Sequence, residues 1–301
     1  MARPASILAY SFAFASLAAV AGAHADESPA RSARPFIETS YIIAPLAVGD
    51  FTLEESEYDE RNKASGAGFR YALKDHQESR IDVFVYPAGL EAQADAIRQG
   101  MAEFKAGIQS AEQAGYYTDV RMADETDFPL LTAPGPGTQA IEPSPAPASG
   151  DGGREAILRG LVEANAPMGR KLRMQLNMQP LGMPMHSDGF LFYKQLYFFK
   201  VRVSAARERI DEDAFQALAD NAARTLVSAI EVDNIGGCLD NTIEVPSDAD
   251  PDAIARILVQ RTAEIQGKSC YDSAATAEIA KKSKDARVVD ITYDPGDWKS
   301  Q

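Results

Sequence analysis

The sequence predicts an α+β fold, an antiparallel sheet flanked by helices, followed by a disulfide-clamped C-terminal helical extension. Three observations predict it. Residues 66–86 alternate apolar and polar side chains with the period of two of a strand, and two later stretches repeat apolar residues near the 3.6 period of a helix. The chain's two cysteines, Cys238 and Cys270, both lie in its last quarter.

Taken in order, residues 1–25 read as an export signal. Arg3 supplies the charged start, Ile7 to Val20 the apolar stretch, and Ala23-His24-Ala25 the small-x-small pattern that a signal peptidase cuts, so the mature chain is expected to begin at Asp26. At 1.5 Å per residue the apolar stretch spans about 21 Å, short of a hydrocarbon core of about 30 Å, which argues against a membrane anchor. The expected location is therefore periplasmic or secreted. The formal charge is -14, and Arg3 is the single charged residue of the signal, so the mature chain is more acidic still. Such a surface repels phosphate backbones and anionic headgroups, which argues against nucleic acid as a partner. No later stretch approaches about eighteen uninterrupted apolar residues, since even Phe190 to Phe199 contains Lys194 and Gln195, so no membrane insertion is expected after signal cleavage.

An α+β domain is expected over 26–232. Phe51 and Leu53 start a strand; Phe69, Tyr71 and Leu73, then Ile81, Val83 and Val85, form a hairpin about the polar turn Lys74 to Glu78. Pro87 and Gly89 end the sheet run. Leu90, Ala94, Ile97, Met101, Phe104, Ile108 and Ala111 then make one apolar stripe on a helix of about 24 residues closed by Gly115. Residues 133–153 are rich in Pro and Gly and hold no aromatic side chain, so they read as a disordered surface loop inserted in the domain. Residues 154–164 fit a strand or a helix. Leu172, Met174, Leu176 and Met178 mark a half-buried strand. Residues 190–203 read as one longer strand, apolar in both phases as far as Phe199 and then alternating, with Lys200 and Arg202 outside. Asp211 caps a second helix over 211–232 that buries Phe215, Leu218, Ala219, Ala222, Leu226 and Ile230.

Residues 233–301 are expected as an extension packed on that domain. Asp250-Pro251 is a helix start, with Ile254, Ile257, Leu258 and Ile265 as the buried stripe, residues 273–282 a short helix, and Val289, Ile291 and Tyr293 a final strand. In an oxidising compartment Cys238 and Cys270 are expected to pair, and the loop-entropy model gives such a clamp about 3 to 4 kcal/mol.

The element order, three strands, a helix, several strands and a closing helix, with the strand Leu196 to Val203 leading into the helix from Asp211, resembles the Mog1/PsbP-like fold over about Phe51 to Val232. The resemblance implies a single antiparallel sheet flanked by helices, and a binding or assembly module rather than an enzyme.

Catalytic motifs are scarce. With the signal gone only His76 and His186 remain, and neither Gly-x-Ser-x-Gly nor Ser-x-x-Lys occurs. His76 falls in a charged turn and reads as a solvated loop residue. Asp248 to Asp252 imitates the start of a calcium loop, but Ala253 stands where glycine is needed and Val259 where the bidentate acid is needed. The local anomaly is methionine: Met168, Met174, Met178, Met183 and Met185 precede His186. Thioethers with an imidazole suit Cu(I). Met174 and Met178 occupy the apolar phase of a strand, which leaves Met183, Met185 and His186 as candidate ligands in a hairpin loop broken by Pro184 and Gly182.

The resulting expectation is a non-catalytic binding or accessory module of the bacterial periplasm, without a cofactor, with a protein partner in the cell envelope, and with its oligomeric state open. Two alternatives stand beside it: a copper-handling protein using the methionine loop, and an acid-pair hydrolase of envelope polysaccharide. A concave aromatic patch would favour binding, convergent sulfurs copper, and two facing buried carboxylates hydrolysis.

Overall fold

The computed structural model describes residues 34–76, 78–130, 167–239, 243, 245–246, 250–294 and 296–298. The expected signal at 1–25, the start at Asp26, the Pro/Gly-rich stretch at 133–153 and residues 154–164 lie outside the described residues.

The architecture is mixed α+β, built on a large antiparallel sheet. Its strands are β2 (Ala47–Val48), β3 (Phe51–Tyr58), β4 (Ala67–Leu73), β5 (Arg80–Pro87), β6 (Tyr117–Met122), β7 (Thr126–Pro129), β8 (Met168–Met178), β9 (Met183–Lys194) and β10 (Tyr197–Ala206). They run in the order β2-β3-β4-β5-β10-β9-β8-β6, with β7 also paired to β8. The hairpin read from residues 66–86 is present, with Phe69 opposite Val83 and Tyr71 opposite Ile81. The single strand expected over 190–203 is instead the β9–β10 hairpin, turned at Gln195 and Leu196, both at positive φ (55° and 69°). Neither residue carries the glycine or asparagine that normally marks such a turn. The turn is held from outside: Gln195 Oε1 accepts the Val232 amide at 2.8 Å.

A second sheet, in the order β12-β11-β1-β13, joins both ends of the described chain. β1 (Thr39–Pro45) pairs antiparallel with β11 (Glu231–Ile235) on one edge and with β13 (Ala286–Thr292) on the other. β12 (Cys270–Tyr271) adds to β11 in parallel. The boundary drawn at 232/233 falls inside β11, and the described residues belong to one compact unit. The Cys238–Cys270 disulfide is formed, with Cα atoms 5.9 Å apart. Asp250 caps helix α3 (Pro251–Gly267) by accepting the Ala253 amide at 2.8 Å, with Pro251 in the first turn. The stripe expected there is shallower than read, since Leu258 is exposed and Ile254, Ile257 and Ile265 are half-buried. The short helix expected over 273–282 is α4 (Ile279–Lys282).

One face of the large sheet carries the main core. Phe69, Ile81, Val83, Phe190, Phe199, Val201 and Val203 pack with Phe215, Leu218, Ala222 and Leu226 of helix α2 (Glu212–Ala229) and with Ile42, Val232 and Ile291 of the second sheet. Trp298, near the end of the chain, closes this core against Tyr197 and Tyr293. The opposite face carries helix α1 (Gln93–Gln113), which buries Ala96, Ile97, Met101, Phe104 and Ile108 on Leu172, Met174, Leu191 and Phe198. Leu90 and Ala94, expected in its stripe, are exposed: Leu90 precedes the helix, Ala94 faces outward in its first turn, and Ala96 and Gly100 take the contact. Small residues are required there. A Cβ on Gly100 would lie 2.6 Å from Leu191 Cδ2, and one on Gly189 of β9 would lie 2.1 Å from Phe104 Cε1. The Phe104 ring fills the gap that Gly189 leaves, which seats α1 on the sheet.

This packing generates a contrast between two glycines. Gly189→Ala should destabilise the protein by about 1 to 3 kcal/mol, because the buried Phe104 ring must move and take α1 with it. Gly107 stands mid-helix with nothing within 4 Å of a new Cβ, and Gly107→Ala should stabilise by about 0.5 to 1 kcal/mol. Urea unfolding of the two variants, followed by circular dichroism, checks both signs.

Candidate functional site

Helix α1 lies over β9, β8 and β6. Beyond its edge the same face of the sheet continues through β10 and β5, and the step between helix and bare sheet is a cleft of about 800 Å³. Because β-strand side chains alternate, every second residue of β5 and β10 points into it: Arg80, Asp82, Phe84 and Tyr86 from one strand, and Lys200, Arg202, Ser204 and Ala206 from the other. Phe104, Gly107, Ile108 and Ala111 of α1 form one wall, and Leu176, Met178, Met183 and Met185 of β8 and β9 form the end. Its size and mainly apolar lining with a few convergent polar groups fit a small-molecule site.

Lys200 and Arg202, read from the sequence as outward residues, are half-buried in this cleft. The Lys200 ammonium stands 4.7 Å from the centre of the Phe84 ring, 5.6 Å from that of Phe104 and 5.7 Å from that of Tyr86. Burial, and then the nearby Arg202 charge, lower its pKa from the ordinary lysine value. Arg202 donates to the Tyr117 hydroxyl at 2.9 Å and to Ser187 Oγ at 3.2 Å. The buried acid opposite it in the ladder, Asp82, is turned to other partners: Oδ1 accepts from Arg70 Nε at 3.0 Å and Oδ2 from Arg80 Nε at 2.5 Å.

The other sequence candidates are dispersed. Met183, Met185 and His186 are not in a loop but in β9, where the hydrophobic run simply begins earlier than read. Neighbours in a strand point to opposite faces. Met183 and Met185 line the cleft under α1, while His186 faces α2, stacked on Phe215 at 5.2 Å between ring centres. Met178 is more than a third exposed at the cleft rather than in the core, directly opposite Met183 in the ladder. His76 is in the β4–β5 turn, its Nδ1 3.5 Å from Glu78. Among the described residues no three His, Cys, Asp or Glu side chains gather as a metal site.

On the α2 face, Lys171 is buried with its ammonium 2.6 Å from Asp220, 2.6 Å from Gln216 Oε1 and 3.1 Å from buried Asp188. Desolvation raises the Asp188 pKa and the Lys171 charge opposes the rise. Asp82 and Asp188 are thus buried carboxylates on opposite faces of the sheet, each already bound by cations, and they do not form a facing acid pair.

No protein-family model matches this chain, and no curated protein matches it. Among solved structures, the solution structure of cyanobacterial PsbP (CyanoP) from Synechocystis sp. PCC 6803 is similar over 62% of this chain and 95% of that one, at 10% sequence identity and a TM-score of 0.33. The likeness is a weak one of overall fold, and no residue role is carried across it.

The His186 environment generates a pH prediction. Burial, aided by the charge of Arg207 and opposed by Glu212 and Asp211, holds the imidazole below its ordinary value of 6.5. Between the folded value and 6.5 the unfolded chain binds more protons, so this group's contribution is complete above 6.5 and is lost as pH falls. Between about pH 7.5 and about pH 5 the wild type should lose more unfolding free energy than His186→Phe, as measured by paired urea titrations. Parallel pH profiles would contradict the assignment.

Proposed function

We propose that the protein is an exported, non-catalytic binding module whose binding site is the cleft between α1 and strands β5 and β10. The observation that carries the reading is the cleft itself: an aromatic and aliphatic concavity of about 800 Å³ with two cations at its base and no paired carboxylates or nucleophile–base arrangement among its described residues. Export is supported by the disulfide, which suits an oxidising compartment. Among the described residues no helix is long and apolar enough to cross a membrane.

The exposed face of α1 offers a way to close the cleft without touching its floor. Gly107→Trp adds an indole over the opening, and Gly107→Ala is the matched control. In a ligand-observed magnetic resonance screen of small fragments, hits on the wild type and on Gly107→Ala should be lost on Gly107→Trp. Hits that bind all three proteins alike, or no hits at all, would overturn the reading.

One observation favours a second reading. Met178, Met183 and Met185 share one end of the cleft, an apolar lining that is also three thioethers. With His186 on the opposite face, no imidazole of the described residues lines the cleft with them, and thioethers alone make a weak set for Cu(I) unless they reach one point together. Anaerobic titration against a competing Cu(I) chelator is expected to show no stoichiometric copper. One-to-one retention that disappears in Met183→Leu/Met185→Leu would replace the binding-module reading with copper handling.

A further inference from the structure

Among the described lysines withdrawn at least partly from water, Lys171, Lys194 and Lys282 are engaged by acceptors. Lys171 faces Asp188, Asp220 and Gln216; Lys282 reaches Asp233 at 2.7 Å and Glu231 at 3.0 Å. Lys194 donates to the Val227 and Ile230 carbonyls at 2.6 and 2.8 Å, where it meets the negative end of α2. Lys200 differs. Among the described residues its ammonium has no carboxylate within ion-pair distance and no acceptor; it has ring faces alone, those of Phe84, Tyr86 and Phe104. Ring faces partly offset the lost hydration of a cation, but they leave three N–H donors unused.

Arg202, two residues along the same strand, points into the same cleft and likewise makes no ion pair among the described residues; its partners are two neutral hydroxyls. The acids that border the cleft do not compensate for the two cations. Asp82 gives one oxygen to Arg70 and the other to Arg80, Glu103 accepts from Gln99 at 3.0 Å, and Glu78 sits beside His76. Glu78 and Glu103 are exposed. In a chain of formal charge -14, the floor of this cleft is therefore left with uncompensated positive charge. Apolar surface lies next to it on two sides, from Phe104 and Ile108 and from Leu176, Met178 and Met185.

We propose that the cleft takes a small amphipathic anion, a carboxylate or phosphate head on an apolar body, with the head between Lys200 and Arg202 and the body against α1 and the ends of β8 and β9. The inference rests on the reading of this cleft as the binding site and names its ligand class. An anionic head supplies the acceptors that the Lys200 ammonium lacks and screens it from the Arg202 guanidinium. The apolar body covers side chains that water now wets. A cationic head meets like charge on both residues, and a neutral chain leaves both cations unpaired and further dehydrated.

The test compares three compounds that share one tail: octyl phosphate, octyltrimethylammonium and 1-octanol, titrated calorimetrically into the full mature chain below their aggregation concentrations. Octyl phosphate should bind one-to-one and about tenfold or more tightly than either of the others. Lys200→Met keeps the apolar stem within the three rings and should remove that preference while leaving 1-octanol binding unchanged; Lys200→Arg should restore it. Arg202→Gln should weaken octyl phosphate alone. Equal affinity for the three heads on the wild type, a measurement that needs no variant, would overturn the inference, as would a preference unchanged in Lys200→Met. In either case the fragment comparison with Gly107→Trp still decides separately whether the cleft is a binding site. No binding of any octyl compound would also overturn the ligand class, with the same comparison standing.

Discussion

Asn234 uses its whole side chain to hold three other segments of the chain. Its Oδ1 accepts the Ser40 hydroxyl of β1 at 2.6 Å, and its Nδ2 donates to the Lys268 carbonyl at the end of α3 at 2.7 Å and to the Gln195 carbonyl at 3.1 Å. Gln195 returns the link through its own amide oxygen to Val232. Asn234 is fully buried, so each of these groups would cost about 1 to 3 kcal/mol if left without a partner. The β9–β10 turn belongs to the large sheet and β11 to the small one, so this set of bonds fixes the register of one sheet on the other. Next to it, buried Asp233 accepts from Lys282 and from Ser269, tying α4 and the start of β12 to the same strand.

What the joint fixes, the core then uses. With the tip of the β9–β10 hairpin anchored, its two strands become the centre of the large sheet, apolar on both faces, with α2 on one side and α1 on the other. The Phe104 ring sitting on Gly189 determines how far α1 reaches across that sheet. A helix seated there covers β8 and β9 and leaves β5 and the outer half of β10 open. The cleft is therefore a consequence of where one aromatic side chain finds a gap, and its floor is whatever the uncovered strands present. They present Lys200 and Arg202, where solubility alone would be served equally well by residues that point into bulk water.

Much of the fold is legible in the sequence. The alternation of Phe69, Tyr71 and Leu73 with Ile81, Val83 and Val85 gives a hairpin, because a half-buried strand must repeat every two residues. Asp211 and Asp250 mark helix starts, and both accept the amide three residues on, as an N-cap does. What the local pattern does not carry is whatever depends on distant chain. Gln195, at positive φ, is bonded to Val232 and Asn234 from the far end of the chain, and nothing in Lys194-Gln195-Leu196 signals a turn. β1 pairs with β11 and β13 from the far end of the chain, a contact invisible to periodicity. The candidate site suffers from the same blindness: Lys200 and Arg202 alternate with buried valines and so read as solvent-facing, when the second face of that strand is partly covered by a helix about a hundred residues earlier in sequence. The methionine motif misleads in the opposite direction: Met183 and Met185 share a face with Met178, but His186, next in sequence on the same strand, points to the other face and leaves the set.

The site's charge also runs against that of the whole molecule, and the two act over different distances. At physiological ionic strength fields between exposed charges decay over about 8 Å, so an approaching anion feels chiefly the charges at the mouth of the cleft, where Glu78 and Glu103 stand with Arg80 and Arg209. Inside, partial desolvation strengthens the attraction of Lys200 and Arg202 over what the same charges would exert in water. Simple inorganic anions gain little from the apolar walls. An anion that carries its own apolar surface gains from both, since burying such surface contributes about 25 cal/mol per Å². For the ligand class proposed, selectivity comes from requiring charge and hydrophobic body in one molecule.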